Sequence, residues 1–477
     1  MSRSMWSARA GLALLTTVSV GALAAPAEAA GAGVATVSGT KVRYTAATGK
    51  QNKVVVTRSG NTITIDDKVA VKAGKGCKAV KGDKTKVRCT TGKAPTRVQV
   101  YLGSRNDSVA NRTDLPMTAT GGTGVDRLTG GPRADYLRGD AGNDKIWGGG
   151  GNDDIDGHEG ADYLYGGAGN DYVRGNDGND RLYGEAGNDH LYGDSENDRV
   201  YGGPGDDSLE EGFNPLAGRS DADLLSGGSG SDYVQYAGRS KAIIADLDGA
   251  TGDDGQAGEH DTLATDVEGI VGGRGNDRLV GSAGANGLFG NAGNDTLLGG
   301  AGNDYLSGDF GADRLEGGPG DDGLAGDSGD SVAADVLLGG PGRDQVDYGS
   351  YSKPVTVDLD GAARDDGLPG EHDTVGVDVE DIQGGQGSDR LTGNAADNEI
   401  LGYFGDDVLR GGAGNDRLEG ELGRDTIYGD AGDDNLNAGW YGDGADSLNG
   451  GENLTATGDN CRTHDAEDTA IDCESYN

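Results

Sequence analysis

The 477-residue sequence has few of the residues that build ordinary protein cores, and it contains none of three common metal and hydrolase motifs. Aromatic residues make up 5% of the chain, with only 3 Met and 4 Cys, whereas Gly occurs 93 times. The length suits several domains, but the large apolar residues are too few for several ordinary cores. No His-Glu-x-x-His, Gly-x-Ser-x-Gly or Cys-x-x-Cys sequence is present. Zinc proteases, serine hydrolases and thiol redox or zinc centres therefore have no support, and we predict that the chain is not an enzyme.

Long hydrophobic runs are absent except at the amino terminus, where Arg3 and Arg9 precede an apolar stretch from Ala10 to Ala25. A small-residue cleavage site follows, and the stretch is too short to span a bilayer comfortably. An uncleaved anchor is the alternative. No Cys precedes Cys77, which excludes a lipoprotein. We predict a signal peptide over residues 1–29 and an extracellular protein with no membrane span after its removal.

Positive charge is scarce beyond the first quarter of the chain. Residues 31–115 contain 17 Lys or Arg against 5 Asp or Glu, whereas residues 116–477 contain 21 against 75. The basic part is rich in strand-like segments such as Val54-Val55-Val56 and Val98 to Leu102, separated by Gly or Asn turns. This basic segment is predicted to cap the structure formed by the residues that follow it. The alternative is that it binds an anionic cell-wall polymer.

The four cysteines form two local pairs, Cys77 with Cys89 and Cys461 with Cys473, each twelve residues apart. An even number of cysteines at short spacing in a secreted chain favours disulfides, each contributing about 3 kcal/mol through loop entropy. Free thiols are the alternative.

The abundant glycine and aspartate fall into a nine-residue repeat, Gly-x-x-Gly-x-Asp-x-(Leu/Ile/Val)-x. It occurs 22 times in three runs, at residues 121–210, 272–325 and 384–437. Position 1 is Gly and position 8 is Leu, Ile or Val in every unit, and position 6 is Asp in 20 units. Asn286 and Asn398 are the exceptions, each in the second unit of its run. So regular a period predicts a repetitive fold.

Each unit predicts one tight turn followed by one short strand. Glycine accepts positive φ and so permits the turn, and the middle residue of the strand faces inward. Eighteen residues then complete one coil, and alternate units stack into two parallel sheets with a single layer of Leu, Ile and Val between them. The predicted fold is an all-β parallel solenoid.

The Asp of each turn is predicted to lie beside the equivalent Asp one coil further on. Carboxylate and carbonyl oxygens suit Ca²⁺, which accepts six to eight oxygen ligands in flexible geometry, better than Mg²⁺. Without the ion the rows of like charge repel, so we predict multiple bound Ca²⁺ and a largely unfolded apo chain. The predicted Ca²⁺ ligands are Asp126, Asp135, Asp144, Asp153, Asp162, Asp171, Asp180, Asp189, Asp198, Asp207, Asp277, Asp295, Asp304, Asp313, Asp322, Asp389, Asp407, Asp416, Asp425 and Asp434.

These units resemble the hemolysin-type, or RTX, calcium-binding repeats, whose consensus is Gly-Gly-x-Gly-x-Asp-x-(apolar)-x. The unit from Gly166 to Arg174 matches that consensus in full. The resemblance implies a right-handed parallel β-roll with Ca²⁺ between successive turns, bound by the position-6 Asp and by turn carbonyls. Arg133, Glu196 and Ala396 depart from it at position 4. The whole layout is similar to secreted actinobacterial proteins of this class.

A longer duplication overlies the short repeat, because residues 227–289 recur at 339–401 with an offset of 112. Each copy contains a 36-residue insert with Gly-Glu-His-Asp, ending at Asp261 or Asp373, followed by Asp-Val-Glu. The insert is either a metal or ligand site on a protruding loop or an acidic spacer, and we favour the spacer because one His with scattered carboxylates fits no zinc or catalytic spacing.

The predicted segments follow from these features. They are a signal peptide (1–29), a basic β-rich domain with Cys77–Cys89 (30–120), a first repeat block (121–235), an insert (236–271), a second block (272–347), an insert (348–383), a third block (384–449) and a carboxy-terminal cap with Cys461–Cys473 (450–477).

One face of the first run carries an aromatic ladder, Trp147, Tyr165, Tyr183 and Tyr201, spaced by 18 residues. The ladder either stabilises stacked strands or binds a glycan or another protein. We predict a secreted, noncatalytic calcium-binding protein with an extracellular structural or adhesive role. Cell-wall polymer, glycan and protein are the candidate partners, and nucleic acid is not one. The alternatives are a hydrolase with an unrecognised site and a wall-binding module.

Overall fold

The computed structural model describes residues 31–210, 222–439, 444–452, 458–464, 467–473 and 475–476. The predicted signal peptide lies outside the described residues. Where the chain is described, it contains strands and turns but no helix. It follows that no described helix could cross a membrane. The predicted all-β parallel solenoid is confirmed.

The described strands fall into four groups along the chain. The amino-terminal group contains β1 (Gly33–Ser38), β2 (Lys41–Thr45), β3 (Lys53–Ser59), β4 (Thr62–Asp66), β5 (Val71–Ala73), β6 (Cys77–Val80), β7 (Asp83–Thr90), β8 (Arg97–Ser104) and β9 (Ser108–Arg112). The first repeat block contains β10 (Met117–Thr123), β11 (Arg127–Thr129), β12 (Tyr136–Ala141), β13 (Lys145–Gly150), β14 (Asp154–Glu159), β15 (Tyr163–Ala168), β16 (Tyr172–Asp177), β17 (Arg181–Ala186), β18 (His190–Ser195), β19 (Arg199–Pro204), β20 (Ser208–Glu210), β21 (Leu224–Ser229) and β22 (Tyr233–Gln235). The first insert and second block contain β23 (Ile243–Asp246), β24 (Gly255–Gln256), β25 (Thr262–Leu263), β26 (Gly269–Val271), β27 (Arg278–Val280), β28 (Gly287–Phe289), β29 (Thr296–Leu298), β30 (Tyr305–Asp309), β31 (Arg314–Glu316), β32 (Gly323–Asp327), β33 (Val336–Leu338) and β34 (Gln345–Asp347). The remainder contains β35 (Thr356–Asp358), β36 (Thr374–Val375), β37 (Asp381–Gln383), β38 (Arg390–Thr392), β39 (Glu399–Phe404), β40 (Val408–Ala413), β41 (Arg417–Leu422), β42 (Thr426–Ala431), β43 (Asn435–Asn437), β44 (Ser447–Glu452), β45 (Asn460–Arg462), β46 (Thr469–Ile471) and β47 (Ser475–Tyr476).

Within the runs, strands 18 residues apart pair in parallel, as in the register of Leu137 with Ile155. One face of the solenoid is a single sheet of 22 strands that begins with β5, β1, β2 and β8 and then continues from β10 to β47. The other face consists of three sheets of 12, 7 and 6 strands. Each nonapeptide therefore adds one strand to one face, and the next nonapeptide adds one to the other.

The core is the layer of position-8 side chains between the two faces. In all 22 units this Leu, Ile or Val has no exposed surface. Burying a side chain of this size stabilises a fold by about 1.5–3 kcal/mol, so the layer supplies a stabilising contribution in every unit.

The amino-terminal strands are continuous with the solenoid. Strand β8 pairs in parallel with β10, and β9 pairs in parallel with β11, so both faces extend into this segment. The disulfide Cys77–Cys89 joins β6 to β7, and Cys461–Cys473 ties β45 to the residues after β46. Both predicted disulfides are therefore present, and the described residues include no free cysteine.

The two inserts interrupt one face and leave the other intact. In the first insert, β25 pairs back onto β21 and ends the 12-stranded sheet, while β23 pairs forward onto β27 and starts the next sheet. On the opposite face β22 pairs directly with β26. The second insert repeats this arrangement with β36, β35 and the pair of β34 with β37. The inserts are thus part of the stacked structure.

Candidate functional site

The twenty predicted aspartates lie inside the turns, in rows that follow the solenoid. Each side chain is at most 3% exposed. In the regular parts of a row, one carboxylate oxygen, Oδ1, accepts the backbone N–H of the Asp one coil earlier. The N–H of Asp162 donates to Asp180 at 2.7 Å, and the N–H of Asp180 donates to Asp198 at 2.7 Å. The fold therefore brings the predicted residues together in ladders.

The second carboxylate oxygen, Oδ2, is the feature that points to a ligand. In fifteen of the twenty aspartates this atom is buried and has no hydrogen-bond partner among the described residues. Buried polar atoms are normally paired, and a charged one without a partner is costly. The fifteen are Asp126, Asp144, Asp153, Asp162, Asp171, Asp180, Asp189, Asp207, Asp295, Asp304, Asp313, Asp322, Asp407, Asp416 and Asp434.

The position-1 glycines leave open the space that these oxygens face. A Cβ placed on Gly157 would overlap Oδ2 of Asp162 and would lie 2.8 Å from the carbonyl oxygen of Gly175, one coil further on. A carboxylate oxygen and a backbone carbonyl oxygen thus line the same space, and a side chain at position 1 would fill it. Hard oxygen donors of these two kinds are the ligands that Ca²⁺ prefers, so the residues fit that ion.

Burial also disfavours the charged form of the row. It raises the pKa of Asp162 to about 8 and that of Asp180 to about 7, although the backbone N–H bond to each carboxylate opposes the shift. The pKa of Asp144 rises to about 6 for the same reason. A cation beside these carboxylates would favour their charged form and so offset the effect of burial.

Among the 22 units, five turns have a different, closed geometry. In each, the position-6 side chain accepts the N–H of position 2 of its own unit, at distances of 2.5 to 2.9 Å. The five side chains are those of Asp135, Asp277, Asn286, Asp389 and Asn398. All five stand where a row of turns begins or resumes after an interruption, so the preceding coil offers no regular turn to face them. Sequence reasoning missed this distinction among the aspartates.

The two asparagines are explained by glutamates from the inserts. Oε2 of Glu268 accepts the N–H of Asp232 at 2.9 Å, so this glutamate takes the place of an Asp in the row. Asn286, one coil later, donates from Nδ2 to the carbonyl oxygen of Glu268 at 3.1 Å. Asn398 makes the same bond to Glu380 at 2.6 Å. An ionised Asp in place of either Asn would have no hydrogen to donate to this carbonyl oxygen. The insert that precedes each of these units therefore explains why position 6 is an amide there.

Sequence reasoning also missed carboxylates outside the three runs. Asp232 and Asp344 are buried in the rows, and their Oδ2 atoms have no hydrogen-bond partner among the described residues. A signal was available, because Gly227 to Asp232 and Gly339 to Asp344 both match Gly-Gly-x-Gly-x-Asp. Each is a single unit separated from its run by irregular sequence.

The inserts place further acidic groups at the surface. The carboxylates of Asp246, Asp248 and Asp253 lie within 4.8 Å of one another. Asp358, Asp360 and Asp365 form the equivalent group in the second insert. In contrast, the Glu and Asp of Gly-Glu-His-Asp are buried in both copies, whereas the Gly and His of the motif are exposed.

The aromatic ladder stacks upon itself. Successive ring centroids of Trp147, Tyr165, Tyr183 and Tyr201 are 5.6, 4.8 and 5.1 Å apart, with nearly parallel planes. Tyr165 and Tyr183 therefore have a neighbouring ring on both faces, which leaves no face for a sugar ring. This geometry favours the strand-stabilising interpretation.

Comparison with known proteins agrees with the repeat geometry. The family model for the RTX calcium-binding nonapeptide repeat matches residues 120–155, 147–182, 174–209, 210–236, 270–297, 298–333, 383–418 and 410–440. These segments together cover half of the chain. No curated protein matches the sequence.

Proposed function

Because the chain belongs to the RTX calcium-binding nonapeptide repeat family, we propose that it is a secreted protein whose repeats fold on binding several Ca²⁺ ions. The observation that carries the proposal is the row of buried Oδ2 atoms without hydrogen-bond partners. A bound Ca²⁺ would balance the negative charge of these oxygens, and the nearby backbone carbonyl oxygens would also coordinate it. Secretion is supported by the two disulfides, since such bonds persist in oxidising compartments.

The proposed ligands are the predicted aspartates of the regular turns together with Asp232 and Asp344. Asp135, Asp277 and Asp389 are left out of this proposed set, because both oxygens of each accept a backbone N–H and neither is unsatisfied. In this proposal no Ca²⁺ is bound by the first position-6 carboxylate after an interruption of a row of turns.

Asp180→Asn tests the proposed ligands. The amide keeps the oxygen that accepts the N–H of Asp162 and replaces only the unsatisfied Oδ2. We expect native mass spectrometry to show at least one Ca²⁺ fewer per chain and thermal unfolding in Ca²⁺ to shift down by a few degrees, about 1–2 kcal/mol.

Asp177→Asn is the matched control, because Asp177 is exposed in the same turn. It changes the net charge equally and is expected to leave the number of bound ions unchanged. Equal loss of Ca²⁺ from both variants would show that overall charge, and not the buried row, sets binding.

The proposed role of the protein is structural or adhesive and noncatalytic. The core is a filled layer of aliphatic side chains, and the buried carboxylates of the repeats hydrogen-bond to backbone N–H groups in a regular ladder. Such an arrangement provides rigid, extended surfaces, which suit contact with other macromolecules.

A second candidate function is wall binding through the amino-terminal segment, favoured by its 17 Lys or Arg against 5 Asp or Glu. Lys72, Lys75 and Lys78 are exposed there. We expect the full chain in Ca²⁺ to sediment with purified anionic cell-wall polymer, and substitution of these three lysines by Glu to reduce this several-fold. Three exposed arginines of the repeats, Arg127, Arg199 and Arg278, changed to Glu provide the control. Equal binding by all variants would rule out this function.

A further inference from the structure

A cleft lies between the first insert and the repeat turn that follows it, with a volume of about 730 Å³. It is lined by Leu247, Asp248, Thr265, Val267 and Glu268 of the insert and by residues 281–286 of the second repeat block. The volume is within the ~300–1,000 Å³ of typical small-molecule sites. The first copy of the duplication therefore has room for a small ligand.

In the second copy the side chain of Asn394 bridges the corresponding elements. Its Nδ2 donates to the carbonyl oxygen of Val379 at 2.9 Å and lies 3.5 Å from that of Val377. Its Oδ1 accepts the N–H of Ala396 at 2.8 Å within the repeat turn. A carboxamide of the chain itself thus joins the second insert to its turn.

The first copy has Ser282 at this position, 112 residues earlier. Its hydroxyl accepts the N–H of Gly284 at 3.1 Å, so it keeps only the contact within the turn. Thr265 and Val267 correspond to the two residues whose carbonyl oxygens Asn394 approaches. No described backbone N–H donates to either of these carbonyl oxygens. Two residues with free backbone acceptors therefore line the cleft.

The turn itself is also smaller in the first copy. Residues 281–286 and 393–398 differ at three positions, and the first copy has the smaller residue at each. Besides the serine, Gly284 stands in place of Ala396, and Ala285 stands in place of Asp397. These substitutions leave space where the second copy has side-chain atoms.

The charge of the cleft is negative. Asp248 and Glu268 line it, and none of the described lining residues is Lys, Arg or His. Burial raises the pKa of Glu268, and the nearby charge of Asp266 adds to the rise. A positively charged group in the cleft would favour the ionised form of this glutamate.

The second copy supplies such a charge from its own chain. The guanidinium of Arg343 donates to both carboxylate oxygens of Asp381, at 2.7 and 2.8 Å. Its charge opposes the rise that burial gives to the pKa of Glu380, the counterpart of the glutamate in the cleft. The first copy has Ser231 and Gly269 in place of the arginine and the aspartate. The first copy thus lacks both the amide and the cation that the second copy contains.

We propose that the cleft of the first insert binds a small organic amine, whose ammonium group donates to the carbonyl oxygens of Thr265 and Val267. Asp248 and Glu268 supply the balancing negative charge. An ammonium group has three donors and no acceptor, which matches a site that offers carbonyl and carboxylate oxygens. None of these four residues belongs to the proposed Ca²⁺ ligands of the turns, so the amine site is separate from the ions.

Saturation-transfer nuclear magnetic resonance tests the proposal with cyclohexylamine as the probe and cyclohexanol as its neutral control. The full mature chain is kept in saturating Ca²⁺, so that the repeats are folded and their ions bound. We expect transfer to the amine and little to the alcohol. Equal transfer to both compounds would overturn the role of charge. Further Ca²⁺ at constant ionic strength should leave the amine bound, and displacement would show a metal site instead.

Ser282→Asn gives the first cleft the residue that the second copy already accommodates. We expect it to lower the affinity for cyclohexylamine about tenfold or more, because the amide takes the two carbonyl oxygens. Asn394→Ser is the matched control, the reverse exchange at the equivalent position, and it should leave that affinity unchanged. Circular dichroism and the number of bound Ca²⁺ should be the same in all three proteins, which separates this test from that of the repeats.

The location of the bound amine is what the two variants decide. Unchanged affinity in Ser282→Asn would mean that the amine binds elsewhere on the acidic surface, and the proposal would be wrong. Equal loss in Ser282→Asn and Asn394→Ser would also overturn it, because the effect would not belong to the first cleft.

Discussion

In chelator at about pH 8 the chain is expected to lose most of its β-sheet signal, and acidification to about pH 4 in the same chelator should restore part of it. Burial raises the pKa of row carboxylates such as Asp153, Asp162 and Asp407 to about 8. Their ordinary value is near 3.8. The folded chain therefore binds protons more tightly than the unfolded chain does.

The sign of the pH effect follows from this difference. Stability from a carboxyl whose pKa is raised by folding is fully present below the unfolded value and disappears as pH rises through the folded value. For these rows the loss begins near the ordinary value of 3.8 and is complete near the folded value of about 8. A shift from 3.8 to about 7, as for Asp180, disfavours ionisation by about 4 kcal/mol. The cost of ionising a few such carboxylates without a bound cation therefore equals the roughly 5–15 kcal/mol free energy of unfolding of a typical domain.

Circular dichroism at 218 nm or so, recorded from about pH 4 to about pH 8, would measure this effect. With Ca²⁺ in excess the signal should stay high through the upper half of that range, because the ion replaces the proton. A chain that keeps full β-structure in chelator at about pH 8 would show that the rows do not need a cation.

Gly178→Ala should destabilise the Ca²⁺-bound fold by about 3 kcal/mol or more, among the largest effects of any single methyl group in the chain. Gly178 is the position-4 glycine of its turn and has φ of +139°. A Cβ there would overlap the carbonyl oxygen of Gly160, one coil earlier. Neither backbone can retreat without disturbing the turn, so the substitution combines an unfavourable φ with a steric clash.

Gly150→Ala is the matched control in the same repeat run. Gly150 lies outside the left-handed region, and the nearest atoms to an added Cβ are 3.7 and 3.8 Å away. Its substitution should change stability by less than about 1 kcal/mol, because the lower entropy that Ala gives the unfolded chain offsets any small strain in the fold. Thermal unfolding in excess Ca²⁺ compares the two. Equal effects would mean that the glycine turns are not closely stacked.

The regular part of the fold could be predicted because its determinants are local and periodic. A turn, a strand and an inward Leu, Ile or Val recur within nine residues, so the 18-residue pairing of Leu137 with Ile155 follows from counting. The position-6 rows follow from the same count. The disulfides also join residues that are only twelve apart.

The interruptions could not be predicted, because they depend on pairing across irregular sequence. The N–H of Asp223 donates to Asp261, 38 residues later, and the N–H of Asp335 donates to Asp373 across the same interval. No period identifies these partners. Only the folded insert shows that Glu268 occupies the place of an Asp in the row. The hydrogen bond from Asn286 to the carbonyl oxygen of Glu268 depends on that placement.

Far-ultraviolet circular dichroism during a Ca²⁺ titration of the chelated, mature chain, with Mg²⁺ as the control ion, tests whether Ca²⁺ binding folds the repeats. We expect a cooperative transition from coil to β-structure that requires Ca²⁺, because the turns offer a flexible set of carboxylate and carbonyl oxygens. Mg²⁺, which demands a tighter octahedral site, should fail to produce the transition at equal concentration. A spectrum of a fully folded chain in chelator at neutral pH, unchanged by either ion, would contradict folding of the repeats by Ca²⁺.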